Sequence, residues 1–451
     1  MLFVTLIFIL IQFVLALADA PRFVYFSLWV QTIPYWWNFD VQITFDTPVG
    51  PLNLVAMQLF GFLLACLFVI VPQFDRAFAM AKIYRWHLLF LGFCLISLAY
   101  APSPAYGFRT IAKLVAPLAF LIVVLTVIKS SEEFRKTRNA VLGSGAVILG
   151  LALFARAAGI DADPNASVTG FSGIGPPGMG PPVFCAHMLP VAMLALATYV
   201  CDPKLKNLVI ALICAAAILA AVQRTSAGAL FVGASAILFL SGVGIKRFIL
   251  PISCIVGLPT LLLFSESFRR RMFFGNSSSD DLLMDPTKAL GSVNGSGRFG
   301  LWDDVLTRFF YPHPIAGSGI GATQEYLYTR STKGTHVVHS EYVRLLCEVG
   351  IVGLILFAIA AVSYLRRMQR YSAPSNDVSV RIPALAAFGS LVTYLVYFST
   401  DNGIDYVSQF GIYVFALVAV AENAHRNALA TSPVEASEAV PDAQPFPNLL
   451  R

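Results

Sequence analysis

Charged residues are scarce in this chain. Only 12% of its 451 residues are Asp, Glu, Lys or Arg, whereas a soluble domain carries about 25% because its surface must face water. Apolar residues make up 57%, and the basic residues are scattered between apolar runs rather than gathered in one patch. This scatter argues against nucleic acid as a partner and is typical of loop charges that set membrane orientation. The composition therefore predicts an integral membrane protein, with the lipid bilayer as its surroundings.

Motifs for disulfides, metals and nucleotides are also missing. The seven cysteines are odd in number and form no Cys-x-x-Cys pair, so neither a disulfide framework nor a zinc site is predicted. The Gly- and Pro-rich stretch 170–178 lacks the lysine of a phosphate-binding loop, which argues against ATP. We therefore expect no metal site and no cofactor.

Thirteen apolar runs are candidate membrane spans, because a helix of about 20 apolar residues crosses the hydrocarbon core. They cover residues 1–18, 22–37, 51–71, 87–103, 108–128, 139–158, 181–200, 206–222, 226–244, 247–264, 342–364, 382–399 and 403–421. The predicted fold class is all-α, a polytopic membrane bundle with about 12–13 transmembrane helices.

Lysine and arginine alternate between the loops of this bundle. One set of loops carries them, and the opposite short loops 38–50, 159–180 and 400–403 carry none. Because cytoplasmic loops are enriched in Lys and Arg, we place the basic set in the cytoplasm. The long loop 265–341 then lies on the outer side.

These observations divide the chain into a polytopic membrane domain, 1–424, and a tail, 425–451, that is rich in Ala, Pro, Ser and Glu and is predicted to be disordered in the cytoplasm. The sequence Ala18-Asp19-Ala20 resembles a signal-peptidase site. No basic residue precedes the first apolar run, so we favour an uncleaved first helix.

Three sequence elements between residues 298 and 360 carry polar residues next to a predicted span. The first is Arg298-x-x-x-Trp302. The second is His313-Pro314 followed by Gly317-x-Gly319. The third contains His339, Ser340, Tyr342, Val343, Leu346, Glu348, Gly350 and Gly353, and it opens the span 342–364. A fourth element, Gln223-Arg224-Thr225, lies between two earlier spans.

Together these elements resemble the signature of the O-antigen ligase and O-antigen polymerase (Wzy-type) family of membrane glycosyltransferases. The chain departs from the family pattern at Ser340, where Asn is usual, and at Val343, where Leu is usual. The resemblance implies a GT-C-like bundle in the bacterial inner membrane with one large periplasmic loop, 265–341, and an active site on that side. It also implies a donor saccharide linked to undecaprenyl diphosphate, a saccharide acceptor and an enzyme independent of metal. Other polysaccharide-assembly proteins are left open as partners.

The residue types suit that chemistry. Guanidinium groups bind diphosphate oxygens in a bidentate fork, so Arg224 and Arg298 are the expected donor clamp. His339 has an ordinary pKa near 6.5 and is the expected catalytic base, with His336 as the alternative. Attack assisted by a base on an α-linked donor would invert the anomeric carbon. For both arginines an ordinary salt bridge is the alternative.

Further residues are candidates for substrate contact or for the bundle interior. Arg109 and Lys113 lie four residues apart on one helical face, where a bound anion would relieve their repulsion; the alternative is that they snorkel to the interface. Trp302 and Tyr342 are expected to stack on sugar rings. Glu341, Arg344 and Glu348 are expected to form an internal ion-pair ladder, and Gly350 and Gly353 to admit a neighbouring helix.

The leading interpretation is polymerisation of lipid-linked repeat units of an exopolysaccharide or O-antigen. Ligation of O-antigen to lipid A core, as in lipopolysaccharide assembly, uses the same motif and is the nearest alternative, followed by protein glycosylation. A flippase for lipid-linked glycan is the alternative from another class. The candidate charges collect at the outer ends of the spans rather than along a path through the membrane, which favours the enzyme.

Overall fold

The computed structural model describes residues 2–31, 44–45, 52–160, 173–242, 246–253, 256, 298–329 and 337–431. Several sequence predictions lie outside these residues. They include the alternative base His336, most of the long loop 265–341 and the tail from residue 432.

The described chain is almost entirely helical. Its helices are α1 Leu2–Ala18, α2 Ala20–Val30, α3 Leu54–Ile70, α4 Phe74–Ile83, α5 Arg85–Ser97, α6 Pro104–Val127, α7 Ser131–Ala157, α8 Pro181–Cys201, α9 Leu205–Ala220, α10 Arg224–Ser241, α11 Lys246–Ile252, α12 Arg298–Val305, α13 Ala322–Thr329, α14 Glu341–Tyr371, α15 Val378–Tyr397 and α16 Ile412–Thr431. Two-residue strands, Thr44–Phe45 and Leu52–Asn53, pair antiparallel. The predicted fold class, an all-α polytopic membrane protein, is confirmed.

Eight helical segments within the described residues are long and apolar enough to cross a membrane. They are Leu54–Ile83, Pro104–Val127, Ser131–Ala157, Pro181–Cys201, Arg224–Ser241, Glu341–Tyr371, Val378–Tyr397 and Val407–Ala430. Phe3–Ala18, Arg85–Tyr100 and Leu205–Ala220 are apolar but shorter. The predicted number of 12–13 is therefore higher than the number of full-length spans in the described chain. In place of the second predicted span, 22–37, the described residues contain the eleven-residue helix α2.

The last helix is the centre of the bundle. The whole apolar window of Val407–Ala430 is buried inside the protein, and most of Pro104–Val127 is buried as well. By contrast, Phe3, Leu10, Leu205 and Leu212 on α1 and α9 are largely exposed. Apolar side chains on the outside of the bundle are typical of a protein surrounded by lipid, whose tails are as apolar as leucine.

Helix α16 continues beyond the predicted tail boundary at residue 424 because its last turns bind neighbouring backbone. The Asn423 side chain donates to the carbonyl of Ile128 at 2.7 Å, one of the carbonyls left open where α6 ends. Arg426 pairs with Glu422 one turn earlier at 3.1 Å. Residues 425–431 are thus helical, whereas the sequence predicted disorder from 425.

Helix α14 is interrupted at Gly350, whose φ of 65° and ψ of −168° are not helical. The amide groups of Ile351 and Val352 donate instead to the carbonyls of Pro314 and Ile315, at 2.9 and 3.1 Å. The carbonyls of Cys347 and Glu348, which the break leaves open, accept from the next residues of the same loop. Such exchange is how a broken helix satisfies its backbone within a membrane protein.

Gly350 is required for this exchange. A Cβ at this position would lie 2.3 Å from the carbonyl oxygen of Ile315. The sequence predicted that Gly350 admits a neighbouring helix; the neighbour is instead the loop that begins at His313-Pro314. Two of the three sequence elements from the 298–360 region are therefore joined through backbone hydrogen bonds.

Candidate active site

The loop 398–406, between α15 and the turn before α16, is the point where the predicted site residues meet. It contains Thr400, Asp401, Asn402 and Asp405, and it contacts the beginnings of α10, α12 and α14. These three helices begin beside Arg224, Arg298 and His339. Residues that are more than a hundred positions apart in the sequence are thus brought to one end of the bundle.

The start of α10 is bound to the loop on both sides of Arg224. Gln223 donates to the Asp401 carboxylate at 2.8 Å and accepts from the amide of Ser226, so it caps the helix as well. Thr225 shares a hydrogen bond with Thr400, oxygen to oxygen at 2.6 Å. Arg224 lies half-buried between these two contacts.

The start of α12 contacts the same residue of the loop. The Arg298 guanidinium donates to the carbonyl of Thr400 at 2.5 Å. One turn later, the Trp302 indole donates to the carbonyl of Val338 at 2.8 Å. Since Val338 directly precedes His339, Trp302 holds α12 against the segment that carries the histidine. The indole hydrogen bond is thus a tethering contact, and stacking of the Trp302 ring on a sugar stays a prediction.

His339 has left-handed backbone, with φ of 57°, and α14 begins only at Glu341. This conformation is rare for a residue other than glycine and is often found at functional sites. Asn402 accepts from the His339 amide at 3.0 Å and meets ring Nδ1 at 3.3 Å. Burial and the nearby Arg298 guanidinium lower the pKa of His339 to about 4, against the weaker opposing effect of Asp405. The ring is therefore neutral at physiological pH.

The left-handed residue corrects one sequence argument. Helical spacing placed Tyr342 on the same face as His339, but His339 is outside the helix. The Tyr342 hydroxyl donates to the carbonyl of Leu395 at 2.7 Å, and its ring packs edge-on against Phe357 and Phe398. These contacts join α14 to α15, and the stacking of Tyr342 on a sugar stays a prediction.

The site presents the amino ends of helices toward one region. Arg224 is the first residue of α10, and Ser340 caps α14 by accepting from the amide of Val343. The amino end of a helix carries partial positive charge, which favours anions. Two such ends lie at the loop 398–406, where the Arg298 guanidinium also contacts Thr400.

An ion-pair network on α14 lies next to the loop 398–406. Arg344 is buried and lies 3.5 Å from the Glu341 carboxylate and 3.3 Å from that of Glu348. The predicted ladder of Glu341, Arg344 and Glu348 is thereby confirmed. Glu341 also accepts from the amide of Ile404 at 2.9 Å, so the ladder supports the loop that holds the site together.

Lys113 and Arg109 approach from α6. The Lys113 ammonium pairs with Asp405 at 2.5 Å, and the Arg109 guanidinium lies over the Tyr106 ring at 5.4 Å. Lys113 is thus tied to the site through a protein carboxylate, and the contact of Arg109 and Lys113 with a bound anion stays a prediction. Arg109 contacts the ring of Tyr106, which lies one turn earlier on the same helix.

Sequence reasoning missed the loop residues Asp401, Asn402 and Asp405. Asp401 is buried, and burial raises the pKa of its carboxyl in spite of hydrogen bonds to it. In the sequence this loop is notable only for its lack of Lys and Arg. Two aspartates and an asparagine between two apolar spans were a usable signal, because polar residues at span ends are functional candidates.

Residues 209–358 match the O-antigen ligase family. The family model carries the name Wzy_C and covers about a third of the chain, including Arg224, Arg298 and His339. The match confirms the predicted resemblance to the O-antigen ligase and polymerase family. A comparison with curated proteins found no match.

The O-antigen ligase match supports a membrane glycosyltransferase-like role in O-antigen or polysaccharide assembly. It ends before the loop 398–406, so the contacts of Asp401, Asn402 and Asp405 come from the structure alone. Within the described residues no group of three or more His, Cys, Asp or Glu side chains could hold a metal ion.

Proposed function

We propose that this protein transfers a saccharide from a lipid-diphosphate carrier, undecaprenyl diphosphate, to a hydroxyl of an acceptor saccharide on the outer side of the bacterial inner membrane. The observation that carries the proposal is the convergence on the loop 398–406 of the three helix starts beside Arg224, Arg298 and His339. The chemistry needs cations for a diphosphate leaving group and a polar residue beside the reacting carbon, and these three residues provide both.

The arginines suit the leaving group because the guanidinium keeps its charge and has five N–H donors in a fixed plane. As the glycosidic bond breaks, negative charge grows on the diphosphate oxygen. Donors that are already oriented stabilise that charge more in the transition state than in the ground state. In this proposal Arg224 and Arg298 bind the diphosphate, and the helix ends beside them add a weaker attraction.

His339 is the proposed catalytic residue beside the reacting carbon. Its neutral ring, left-handed backbone and contact with Asn402 hold the imidazole in one orientation, which is a requirement for catalytic groups. Lys113 and Arg109 are proposed to act at longer range, because Lys113 contacts the loop 398–406 through Asp405. The reaction inverts the anomeric carbon and uses no metal.

The proposal is tested with the variant His339→Ala, expressed in cells that lack the native gene. We expect the variant to insert in the membrane at the normal level and to form no polymeric or ligated glycan. The matched control is His313→Ala, because His313 is an exposed histidine in a turn of the same region. Normal product from His339→Ala would remove the residue from the mechanism.

We favour polymerisation of repeat units over ligation to lipid A core, and the accumulated intermediate separates the two. Loss of a polymerase leaves single repeats on the lipid carrier. Loss of a ligase leaves long chains on the carrier and a lipid A core without glycan. Mass analysis of the carrier-linked saccharides in the deletion strain therefore decides between the two reactions.

A further inference from the structure

Asn402 contacts His339 through both ends of its side-chain amide. Its Oδ1 lies 3.0 Å from the His339 backbone nitrogen, and its Nδ2 lies 3.3 Å from ring Nδ1. A backbone N–H only donates, so the atom facing it must be the amide oxygen. The other end of the amide, which faces the ring, is then the NH2 group.

This orientation determines the tautomer of the imidazole. An NH2 group only donates, so ring Nδ1 must accept and carries no proton. A neutral imidazole has one N–H, and it must then be on Nε2. The alternative tautomer would place two donors against each other, and rotation of the amide would break its bond to the His339 backbone.

We infer that Asn402 is a positioning residue that holds His339 with its proton on Nε2, so that the ring donates a hydrogen bond to the substrate rather than accepting a proton from it. This inference rests on the proposed function. It differs from the sequence-based role of His339 as the base, because a base needs an unprotonated Nε2. The left-handed backbone of His339, pinned by the same amide, restricts the ring further.

The reaction balances without a base at this position. The acceptor oxygen forms a bond to the anomeric carbon, and the bond from that carbon to the diphosphate oxygen breaks with its electron pair on the diphosphate. The hydroxyl proton passes to a diphosphate oxygen. The Nε2–H of His339 donates to the diphosphate while negative charge grows on it, together with Arg298.

The charged residues around the His339 ring are consistent with a neutral imidazole that donates from Nε2. Arg298 approaches from α12, and Asp405 and Asp401 lie in the loop 398–406. Glu341 and Arg344 follow on α14, which begins two residues after the histidine, and Lys113 on α6 contacts the loop through Asp405. The positive charge of Arg298 opposes a second proton on the ring.

The variant Asn402→Asp tests the assignment because a carboxylate accepts but does not donate. It would draw the proton to Nδ1 and raise the pKa of the ring. If Nε2 must donate, activity at pH 7.5 falls by about a hundredfold or more; a wrong histidine tautomer costs about 10⁴-fold in serine proteases. Activity then recovers as the pH is lowered and the ring becomes doubly protonated. If His339 is a base, Asn402→Asp keeps or gains activity at pH 7.5 and loses it on acidification.

The matched control is Asn376→Asp, the same change in the turn between α14 and α15, where Asn376 binds backbone carbonyls. Its pH profile is expected to follow the wild type. If this control shifts as Asn402→Asp does, the pH effect is not specific to the site and the inference fails.

A second measurement needs neither activity nor a folded Asn402 variant. ¹⁵N NMR of the wild-type protein labelled at its six histidines, with His339→Gln to assign the signal, is expected to show a bare Nδ1 and a protonated Nε2 at pH 7.5. A protonated Nδ1 overturns the inference but leaves the proposed function standing. If the wild-type protein shows the expected tautomer but has no saccharide-transfer activity, the proposed function is refuted and the tautomer assignment stands.

Discussion

The Lys113 ammonium and the Asp405 carboxylate lie 2.5 Å apart and join α6 to the loop 398–406. Arg344 approaches the same carboxylate oxygen at 3.4 Å, so one aspartate partners cations from two helices. Both Lys113 and Asp405 are mostly shielded from water, with side chains 21% and 16% exposed. The position of the loop therefore depends on this carboxylate, and with it the position of Asn402.

Asp405→Asn should destabilise the protein by about 2 kcal/mol, because removing one partner leaves a shielded cation uncompensated. Fully buried pairs lose about 3–5 kcal/mol, and the partial exposure lowers the figure. Thermal unfolding in detergent measures the effect. The control is Asp304→Asn, which breaks the more exposed pair with Arg308 and should cost under about 1 kcal/mol. Equal losses would mean that Asp405 is no more than a surface partner.

Gly350→Ala should destabilise the fold by about 3 kcal/mol or more, because positive φ combined with ψ near 180° is essentially confined to glycine and costs another residue about 1–3 kcal/mol, and the added methyl group meets the carbonyl of Ile315. The control is Gly92→Ala in α5, where an added Cβ has no neighbour within 4 Å. That change should be neutral or stabilising by up to about 1 kcal/mol. Differential scanning fluorimetry of both variants measures the contrast. If the two variants have the same melting temperature, the break in α14 does not depend on contact with the loop that begins at His313-Pro314.

Arg298→Lys should lower transfer by about 10- to 100-fold, since an ammonium cannot reproduce the planar fork, and a hydrogen bond to a charged group contributes about 1.5–3 kcal/mol. Arg308→Lys is the control, because Arg308 lies in the continuation of the same helical segment and is exposed. Glycan formed by isolated membranes gives the rates. Full activity in Arg298→Lys would make Arg298 a structural residue.

His339 should make the stability of the protein depend on pH. Its pKa is about 4 in the fold and near 6.5 when unfolded, so the unfolded ring binds a proton first as the pH falls. Stability attributable to the neutral ring is complete above about pH 6.5 and is lost between pH 6.5 and 4. His339→Gln should therefore lose less stability over this window, by about 1–2 kcal/mol after allowance for partial exposure. The melting temperatures of the two proteins are measured from pH 6.5 to 4. If both fall by the same amount as the pH is lowered, His339 is not a buried neutral histidine.

The sequence alone determined the membrane class, most helices and the main candidates. A long apolar run with few charges crosses lipid as a helix, because a helix satisfies all its backbone hydrogen bonds within the segment. The spacing of Glu341, Arg344 and Glu348 was enough to predict their ion pairs. Arg224, Arg298 and His339 stood out because charged or ionisable groups beside apolar spans are costly to retain without a role.

Only the tertiary structure decided how these residues are held. The left-handed backbone of His339 and the break at Gly350 depend on partners more than thirty residues away, namely Asn402 and the loop from Pro314. Helical periodicity describes neighbours within a few turns and carries no information about such partners. For that reason Tyr342 and His339 shared a face in the sequence and not in the fold. The loop 398–406 likewise gained its importance only when three helix ends, distant in the chain, were brought to it.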